Sequence, residues 1–420
     1  MNIKKLLIVI IFIIFVLGVG FALYWVFFRT SSLNISVEEN FNAGEIPNIN
    51  VGNLNIVNSN VNDPDSLPWQ QYIKDQVSEI AIGGLTAVNK LTDAKVKGMI
   101  TSTQGLQYYD SEKQQFFRIN ENGDIETLSD KKFYGVEKVN WANNASKAIL
   151  EYPDGSNVLY NFQTGKQVTL PIELEDFSFN TVGNQIVAKW MGDHEDNNWL
   201  VAANDDGSGM RLLEPLDDRE HTVDMQFSPD NQVAALHYKY VDAQRQEVYP
   251  IGLHKENFKS FVVNGAGFTS QWSPGGDLLL YSVYNENTNY GPNLWVTKGR
   301  TSELGDIKVS LNVATWPEKC TFAGEDTLYC AVPQGLPRGA GFYPEIADEF
   351  SDNFYTIDLN SGIKTLLASP VGEGGSYTAF NLFTSPDGSI LYFTDKSTGQ
   401  LQSIRSVSYT HLTLPTIYSV

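Results

Sequence analysis

Short apolar runs dominate the chain after residue 72. Val, Ile, Tyr, Phe and Thr occur in runs of four to seven residues bounded by Gly, Asn, Asp or Pro, which is the pattern of short β-strands joined by turns. No amphipathic helix of 12 residues is evident. The two short helix candidates, Pro68–Val77 and Pro344–Phe350, each open with a proline, which suits a first helical position. The pattern therefore predicts an all-β domain.

A turn motif recurs between these runs. It is Ser-Pro followed by Asp or Gly and then by Asn or Gly, and an apolar strand follows each copy. Proline presets φ at the second turn position, and Gly or Asn tolerates a left-handed exit, so each copy predicts a tight hairpin. The clear copies lie in Phe227–Asn231, Trp272–Gly276 and Thr384–Gly388, and degenerate copies begin at Trp141, Phe179 and Thr321.

A second repeated hairpin lies half a unit later. Phe116–Gly123, Val158–Gly165 and Tyr355–Gly362 each place a glycine seven residues after the first strand residue. Two hairpins per unit of about 40 to 50 residues predict a four-stranded antiparallel blade. One such blade cannot bury both of its faces, so blades must stack in a ring.

The repeat predicts a seven-bladed β-propeller of four-stranded antiparallel blades. The last blade, from residue 378 onward, has only two convincing strands and part of a third, so it is expected to be truncated. A strand within Tyr72–Ile82 could supply its missing edge and close the ring. The blades are expected at 93–130, 136–174, 176–218, 223–266, 268–314, 316–368 and 378 onward.

The Ser-Pro-Asp-Gly turns followed by apolar strands resemble the WD-repeat-like blades of TolB-type β-propellers, over about residues 72–405. The resemblance implies an extracytoplasmic propeller that binds other proteins at the ring face or in the channel. Related blades occur in dipeptidyl-peptidase-like serine hydrolases, but this sequence has no Gly-x-Ser-x-Gly nucleophile elbow. It also has an apolar segment where TolB has a separate N-terminal domain. We therefore assign no functional residue of either family to this sequence.

An apolar run from Leu6 to Phe28 precedes the propeller. Its 23 residues contain no charge and would span about 35 Å as a helix, which is enough to cross a bilayer with some tilt. Lys4 and Lys5 before the run, against Arg29 after it, favour a cytoplasmic N-terminus. A cleaved signal peptide is the alternative, although its apolar region would be shorter and would end in small residues. The sequence predicts a signal anchor over residues 1–29.

Two further segments lie outside the repeat. Residues 30–71 are rich in Asn and contain no Lys or Arg, so we expect a flexible linker. Residues 407–420 resemble one translated frame of a transposon-end adapter used in sequencing libraries. We expect this tail to be an artefact, with a genuine β-prone tail as the alternative. The propeller domain is then 72–406.

Charge and cysteine content restrict the function classes. Lys and Arg number 29 against 49 Asp and Glu, a net charge of −20, which argues against nucleic acid as a partner. The two cysteines, Cys320 and Cys330, are symmetric about residue 325 and would lie opposite each other in a hairpin. In an oxidising compartment they are expected to form a disulfide; two buried free thiols are the alternative.

No catalytic, cofactor-binding or metal-binding residues are nominated. Asp193–Asp196 has no metal-ligand spacing, and Asn204–Gly209 lacks the alternating ligands and distal Glu of a calcium loop. Asp217–His221 is interpreted as a solvated charge cluster between blades. No phosphate-binding loop motif is present in the sequence.

These observations lead to a functional expectation: a membrane-anchored, extracytoplasmic propeller that binds a protein or a cell-envelope polymer without catalysis or cofactors. A hydrolase or lyase using the central channel is the alternative from another class, and a structural sensor or assembly scaffold is a third. Binding is expected on loops that differ between blades. Those loops are Asn285–Pro292 and Gln334–Phe350, and the candidate partner contacts are Tyr284, Tyr290, Arg338, Phe342 and Tyr343.

Overall fold

The structure, a computed structural model, describes residues 77–120 and 122–406. Their strands form seven sheets arranged around a central channel, so the protein is a seven-bladed β-propeller with four-stranded antiparallel blades. Chain order begins with β1 (Leu85–Ala87) and β2 (Asn89–Lys90), which precede the first blade. The remaining strands follow blade by blade.

The first three blades hold β3 to β14. Blade one contains β3 (Val96–Ser102), β4 (Gly105–Asp110), β5 (Gln115–Ile119) and β6 (Ile125–Thr127). Blade two contains β7 (Lys138–Trp141), β8 (Lys147–Glu151), β9 (Asn157–Asn161) and β10 (Gln167–Leu170). Blade three contains β11 (Leu174–Phe179), β12 (Gln185–Trp190), β13 (Trp199–Asn204) and β14 (Arg211–Pro215).

The other four blades hold β15 to β29. Blade four contains β15 (Val223–Asp224), β16 (Val233–Asp242), β17 (Arg245–Gly252) and β18 (Phe261–Val263). Blade five contains β19 (Ala266–Trp272), β20 (Leu278–Tyr284), β21 (Pro292–Lys298) and β22 (Val309–Ser310). Blade six contains β23 (Cys320–Phe322), β24 (Thr327–Pro333), β25 (Asp352–Asp358) and β26 (Lys364–Val371), and blade seven contains β27 (Ala379–Thr384), β28 (Ile390–Asp395) and β29 (Leu401–Arg405).

The repeated Ser-Pro motif forms the same turn in each clear copy. The Ser228 hydroxyl accepts a hydrogen bond of 2.9 Å from the backbone N–H of Val233, five residues later. Ser273 and Ser385 accept the equivalent bonds from residues 278 and 390 at 3.1 Å and 2.9 Å. The motif's serine therefore fixes the start of the following strand as well as the turn, which explains its recurrence.

The hydrophobic core is divided among the blade interfaces. Each of the seven buried clusters in the described residues draws side chains from two neighbouring blades. Phe227 and Trp272 are buried, each 8% exposed, and Trp141 is partly buried. Each blade therefore buries its faces only by stacking on the next, as the repeat predicted.

The seventh blade is complete, which corrects the expectation of a truncated last blade. Strand β2 pairs antiparallel with β29, with Asn89 opposite Ser403, and supplies the fourth strand. Strand β1 pairs in parallel with β26 and adds a fifth strand to blade six. The strand that completes blade seven is therefore Asn89–Lys90. Of the segment Tyr72–Ile82 the structure describes residues 77–82, in which Ser78 bridges Thr86 and Ala81 bridges Ser406.

Helical structure in the described residues consists of short 3-10 segments. The predicted helix after Tyr343 is one of them and ends at Glu349. Within residues 77–120 and 122–406, no helix is long and apolar enough to cross a membrane. The expected anchor at 1–29, the linker at 30–71 and the tail at 407–420 lie outside the described residues. The 3-10 segments of the described residues are Glu195–Asn197, Glu220–Thr222, Glu286–Thr288, Pro317–Lys319, Ala340–Phe342 and Pro344–Glu349.

A disulfide links the first two strands of blade six. Cys320 on β23 lies opposite Cys330 on β24, with the two Cα atoms 4.1 Å apart, and the sulfur atoms are bonded. Both residues are buried in the cluster shared by blades five and six. The bond therefore closes a small loop next to the channel.

Candidate functional site

The candidate partner contacts lie at one end of the ring. Because neighbouring strands are antiparallel, the links between second and third strands all lie at the end opposite the Ser-Pro turns; we call this end the loop face. The 285–291 loop of blade five and the 334–351 insertion of blade six are such links. They meet side by side, since the backbone N–H groups of Gly339 and Gly341 donate hydrogen bonds to the carbonyls of Asn289 and Tyr290.

Four of the five predicted contact residues touch one another there. Phe342 packs its ring 4.7 Å from that of Tyr284 and 5.3 Å from that of Tyr290, measured between centroids. The guanidinium of Arg338 lies 5.8 Å from the Tyr290 ring centroid. We call Tyr284, Tyr290 and Phe342 the aromatic cluster. Tyr343 follows in the chain, is 72% exposed, and pairs its ring with none of these three within the described structure.

The blade-five loop is held in one conformation by its own side chains. Asn285 and Thr288 form a capping box around a single 3-10 turn, and the Thr288 hydroxyl also donates to the carbonyl of Gly291 at 2.7 Å. Asn289 and Tyr290 then take left-handed φ values of 52° and 57°. Such a conformation is uncommon for residues other than glycine, so the surrounding contacts must impose it. The loop is therefore preorganised.

The insertion docks onto Tyr284 because two glycines leave room for the ring. A Cβ atom placed on Gly341 would lie 2.5 Å from the Tyr284 ring, and one placed on Gly267 would lie 2.4 Å from it. Real Cβ atoms do not approach other heavy atoms so closely. The two glycines therefore hold the ring between them and couple the insertion to the inner strand of blade five.

A cleft of about 610 Å³ opens beside the aromatic cluster. The blade-five loop, the chain after β22 and the start of the insertion form its walls. Arg338 belongs both to this lining and to the stack on Tyr290. The cleft is therefore continuous with the cluster. Its polar lining residues are Thr288, Asn289, Asn293, Asn312 and Arg338.

The central channel is the larger cavity, about 1290 Å³, and all seven blades line it. Asp224 on β15 lies next to this wall, because its Oδ2 accepts hydrogen bonds from two channel-lining residues, Gln226 Nε2 at 2.7 Å and Ser270 Oγ at 3.3 Å. Burial raises the pKa of Asp224 to about 6, although these two hydrogen bonds oppose the shift. Glu318 lines the channel and is exposed there, and desolvation by the surrounding channel wall raises its pKa as well.

A buried ion pair lies behind the channel wall between blades six and seven. Lys319 Nζ donates to Asp352 Oδ2 at 2.8 Å and to the Ala379 carbonyl at 2.7 Å. The N–H of Ala379 donates to the same carboxylate oxygen at 2.6 Å. Both side chains are almost fully buried. These contacts join three elements from two blades, so the pair has a structural role.

The charge clusters singled out in the sequence do not assemble a metal site. Asp193–Asp196 and Asn204–Gly209 fall in surface connections of blade three, and Asp217–His221 precedes blade four. Within residues 77–120 and 122–406, no three His, Cys, Asp or Glu side chains are grouped so that they could hold a metal ion.

Sequence reasoning missed the cleft and Asp224. The three cleft asparagines come from different parts of blade five and have no common spacing, so only the fold brings them together. Asp224 stands three residues before Phe227 of a repeated motif, and the sequence does not indicate that its carboxylate is shielded from water.

Comparison with solved structures finds a propeller domain whose similarity supports the fold. The propeller domain of Cps50 (Swd1) from Myceliophteria thermophila is 11% identical over 76% of this chain and 100% of that one, with a TM-score of 0.50. A manganese complex of oligogalacturonate lyase is 13% identical over 76% and 92%, with a TM-score of 0.49. The tricorn protease is 11% identical over 74% and 33%, with a TM-score of 0.47. No protein-family model matches the chain, and no curated protein matches it.

Proposed function

We propose that this chain is a membrane-anchored, extracytoplasmic β-propeller that binds a protein or a cell-envelope polymer and performs no catalysis of its own. The uncharged run Leu6–Phe28 with its preceding lysines supports the anchor. The Ser-Pro turns support a TolB-type relationship. We also propose that residues 407–420 are an adapter-derived tail without a role in binding.

The observation that carries the binding role is the junction of the two distinctive loops. Residues chosen because their loops differ between blades lie together on the loop face, with Phe342 51% exposed and Tyr343 72% exposed. Exposed aromatic side chains on a rigid scaffold are favoured at partner contacts, because they bury much area at little conformational cost.

The test uses the full chain in detergent, immobilised and exposed to solubilised envelope from its source cell. Replacing Gln334–Phe350 by a short Asn-Gly turn should abolish capture of a stoichiometric partner and leave the thermal transition nearly unchanged. The replacement is feasible because Pro333 and Asp352 are paired neighbours at the base of the insertion.

Point variants sharpen the same experiment. Phe342→Ala and Tyr343→Ala should each weaken capture. Ile363→Ala is the matched control, since Ile363 is 63% exposed at the opposite end of the same blade. Capture that survives the loop replacement would place the binding surface elsewhere.

The anchor has its own test. The full chain should stay with membranes after an alkaline carbonate wash, and protease added outside intact cells should digest the propeller. Release by carbonate, or protection from external protease, would contradict the proposed location.

The second candidate function is a hydrolase or lyase acting in the channel. Asp224 is what favours it, since a carboxyl group with a pKa of about 6 can exchange a proton near neutral pH. The test is whether the purified chain turns over a substrate. Turnover that is lost in Asp224→Asn and does not depend on the loop-face residues would replace the binding proposal.

A further inference from the structure

The lining of the cleft differs in charge from the rest of the molecule. The chain carries 49 Asp and Glu residues, yet none of the residues lining the cleft is acidic. Its one charged group is the guanidinium of Arg338. In a protein of net charge −20, the cleft therefore offers an anion a positive group with no carboxylate among the lining residues.

Arg338 is also free to bind. Arg219, Arg245 and Arg300 each pair with an aspartate. Within the described residues, the side chain of Arg338 forms no ion pair and donates no hydrogen bond, and its guanidinium carbon lies over the face of Tyr290, 5.8 Å from the ring centroid. A planar guanidinium held on an aromatic ring presents its remaining N–H groups in a fork that matches a carboxylate.

The asparagines around Arg338 keep unused hydrogen-bonding capacity. Asn293 donates through Nδ2 to Ser310 Oγ at 2.9 Å, which leaves its Oδ1 as an acceptor. Asn312 accepts through Oδ1 from the same hydroxyl, which leaves its Nδ2 as a donor. Asn289 makes no side-chain hydrogen bond in the described structure. Such a mixture of neutral donors and acceptors suits hydroxyl groups, because each hydroxyl both donates and accepts.

The size and stiffness of the cleft restrict its occupant. At about 610 Å³ it falls within the usual range for small-ligand sites, and it is too small for a helix of about 10 Å diameter. Pro292 and Pro337 stiffen its walls, and the loop conformation is fixed by the hydrogen bonds described above. A short chain of rings with hydroxyl groups fits these limits better than a folded segment.

We propose that the cleft binds an acidic oligosaccharide, with one sugar carboxylate on Arg338 and sugar hydroxyls on Asn289, Asn293 and Asn312. The inference rests on the proposed binding function and names the ligand class of the same face. The Tyr290 ring, held under the guanidinium, keeps Arg338 aimed at the carboxylate. An acidic peptide would also satisfy Arg338, but each of its backbone groups either donates or accepts, whereas every sugar hydroxyl can do both, which is why we favour the sugar.

The test measures binding of a uronate tetrasaccharide from alginate to the full chain in detergent by calorimetry. Cellotetraose is the neutral comparison, and tetraglutamate is the acidic peptide comparison. We expect the uronate to bind at least about tenfold more tightly than either, with an affinity that falls as salt is added because a charge pair contributes.

Variants assign the contact. Arg338→Gln should weaken uronate binding about tenfold and remove most of its salt dependence, and Asn312→Asp should weaken it by placing a like charge in the wall. Arg405→Gln is the control, an exposed arginine of the described residues without an ion pair, and should change nothing. Unchanged thermal midpoints show that the variants fold.

Three results would overturn the inference: no uronate binding at millimolar concentration, equal binding of tetraglutamate, or insensitivity to Arg338→Gln. The proposed function is judged separately by capture of the envelope partner. If that capture still depends on Phe342 while the uronate fails, only the ligand class is wrong. If the uronate binds but partner capture is unchanged when the insertion is replaced, the partner-binding proposal is wrong instead.

Discussion

The channel and the loop-face cleft are built in opposite ways. Each blade contributes its first strand to the channel, so the channel wall repeats around the axis. The cleft and the aromatic cluster come from one blade-five loop that meets one long blade-six insertion, so they occur once in the described ring. Repetition therefore builds the frame, whereas departures from repetition build the surface with free chemistry. Substitutions in the frame should change stability, and those in the cleft should change binding.

The largest expected effect comes from removing the closing strands. A chain lacking residues 1–91 loses β1, β2 and the apolar contacts of Ala81, Val88 and Leu91. With each buried aliphatic side chain worth about 1.5–3 kcal/mol, the free energy of unfolding should fall by about 5 kcal/mol or more, measured by urea denaturation. A chain lacking only residues 1–76 is the control and should unfold like the parent. Equal stability of both would show that the ring does not depend on β2.

The next effect tests the frame at the blade six–seven boundary. Lys319→Met leaves the Asp352 carboxylate buried without its cation, which should lower the free energy of unfolding by about 3–5 kcal/mol. Lys259→Met breaks an exposed pair with Asp306 and should cost less than about 1 kcal/mol. Similar losses in the two variants would contradict the structural role of the buried pair.

The channel carboxyl gives a pH-dependent effect. The pKa of Asp224 is raised to about 6 in the folded state, so at pH 7.5 the folded protein carries a poorly solvated charge that the unfolded chain carries in water. As pH falls from about 6 toward 4, the folded state takes up the proton first and this penalty disappears. Asp224→Asn should therefore be more stable than the parent at pH 7.5, with an advantage that vanishes near pH 4.

A second carboxyl provides the control for that titration. Hydrogen bonds from Ser156 lower the pKa of Asp154, so Asp154→Asn should be less stable than the parent at neutral pH, and the difference should shrink as pH falls below about 4. Urea midpoints measured across this pH range report both variants. If Asp224→Asn showed the same sign as Asp154→Asn, the burial of Asp224 would be contradicted.

The smallest effect on stability should come from Gly341→Ala, which has the largest effect on the loop face. Its methyl group would clash with Tyr284 and push the insertion off its seat. Because the insertion can retreat into solvent, the unfolding free energy should fall by about 1 kcal/mol, the low end for overpacking. Uronate and partner binding should fall about tenfold. Gly275→Ala has room for the methyl group and is the control. An equal loss of binding in Gly275→Ala would show that the clash with Tyr284 is not the cause.

The repeat made the fold readable from sequence. Ser-Pro turns and glycines at fixed offsets report local backbone geometry, and the recurrence of that geometry at intervals of about 40 to 50 residues predicts a propeller. The expectation for the last blade was wrong because its fourth strand is Asn89–Lys90, more than 300 residues away from its partner β29. Such a short, polar strand has no alternating apolar pattern from which it could be predicted.

The candidate site was readable only in part. Tyr284, Tyr290, Arg338 and Phe342 were chosen from unusual loops, and the structure places these four in contact. The contact depends on Gly341 and Gly267 leaving space for one ring, and on left-handed Asn289 and Tyr290. Those are properties of tertiary approach rather than of residue order, so the sequence alone does not contain a local signal for them.

The closing strand also dictates the order in which the molecule can be made. Strand β2 is synthesised before any complete blade, yet its partner β29 is synthesised after every other strand of the described residues. During translation the blades can therefore stack one after another, while β2 waits unpaired until the final strand emerges. Closing such a long loop carries an entropic cost that is recovered only when the last contacts form. We expect ring closure to be the late, slow event of folding, and the unpaired edges of blade seven to be the surface that a chaperone must cover until then.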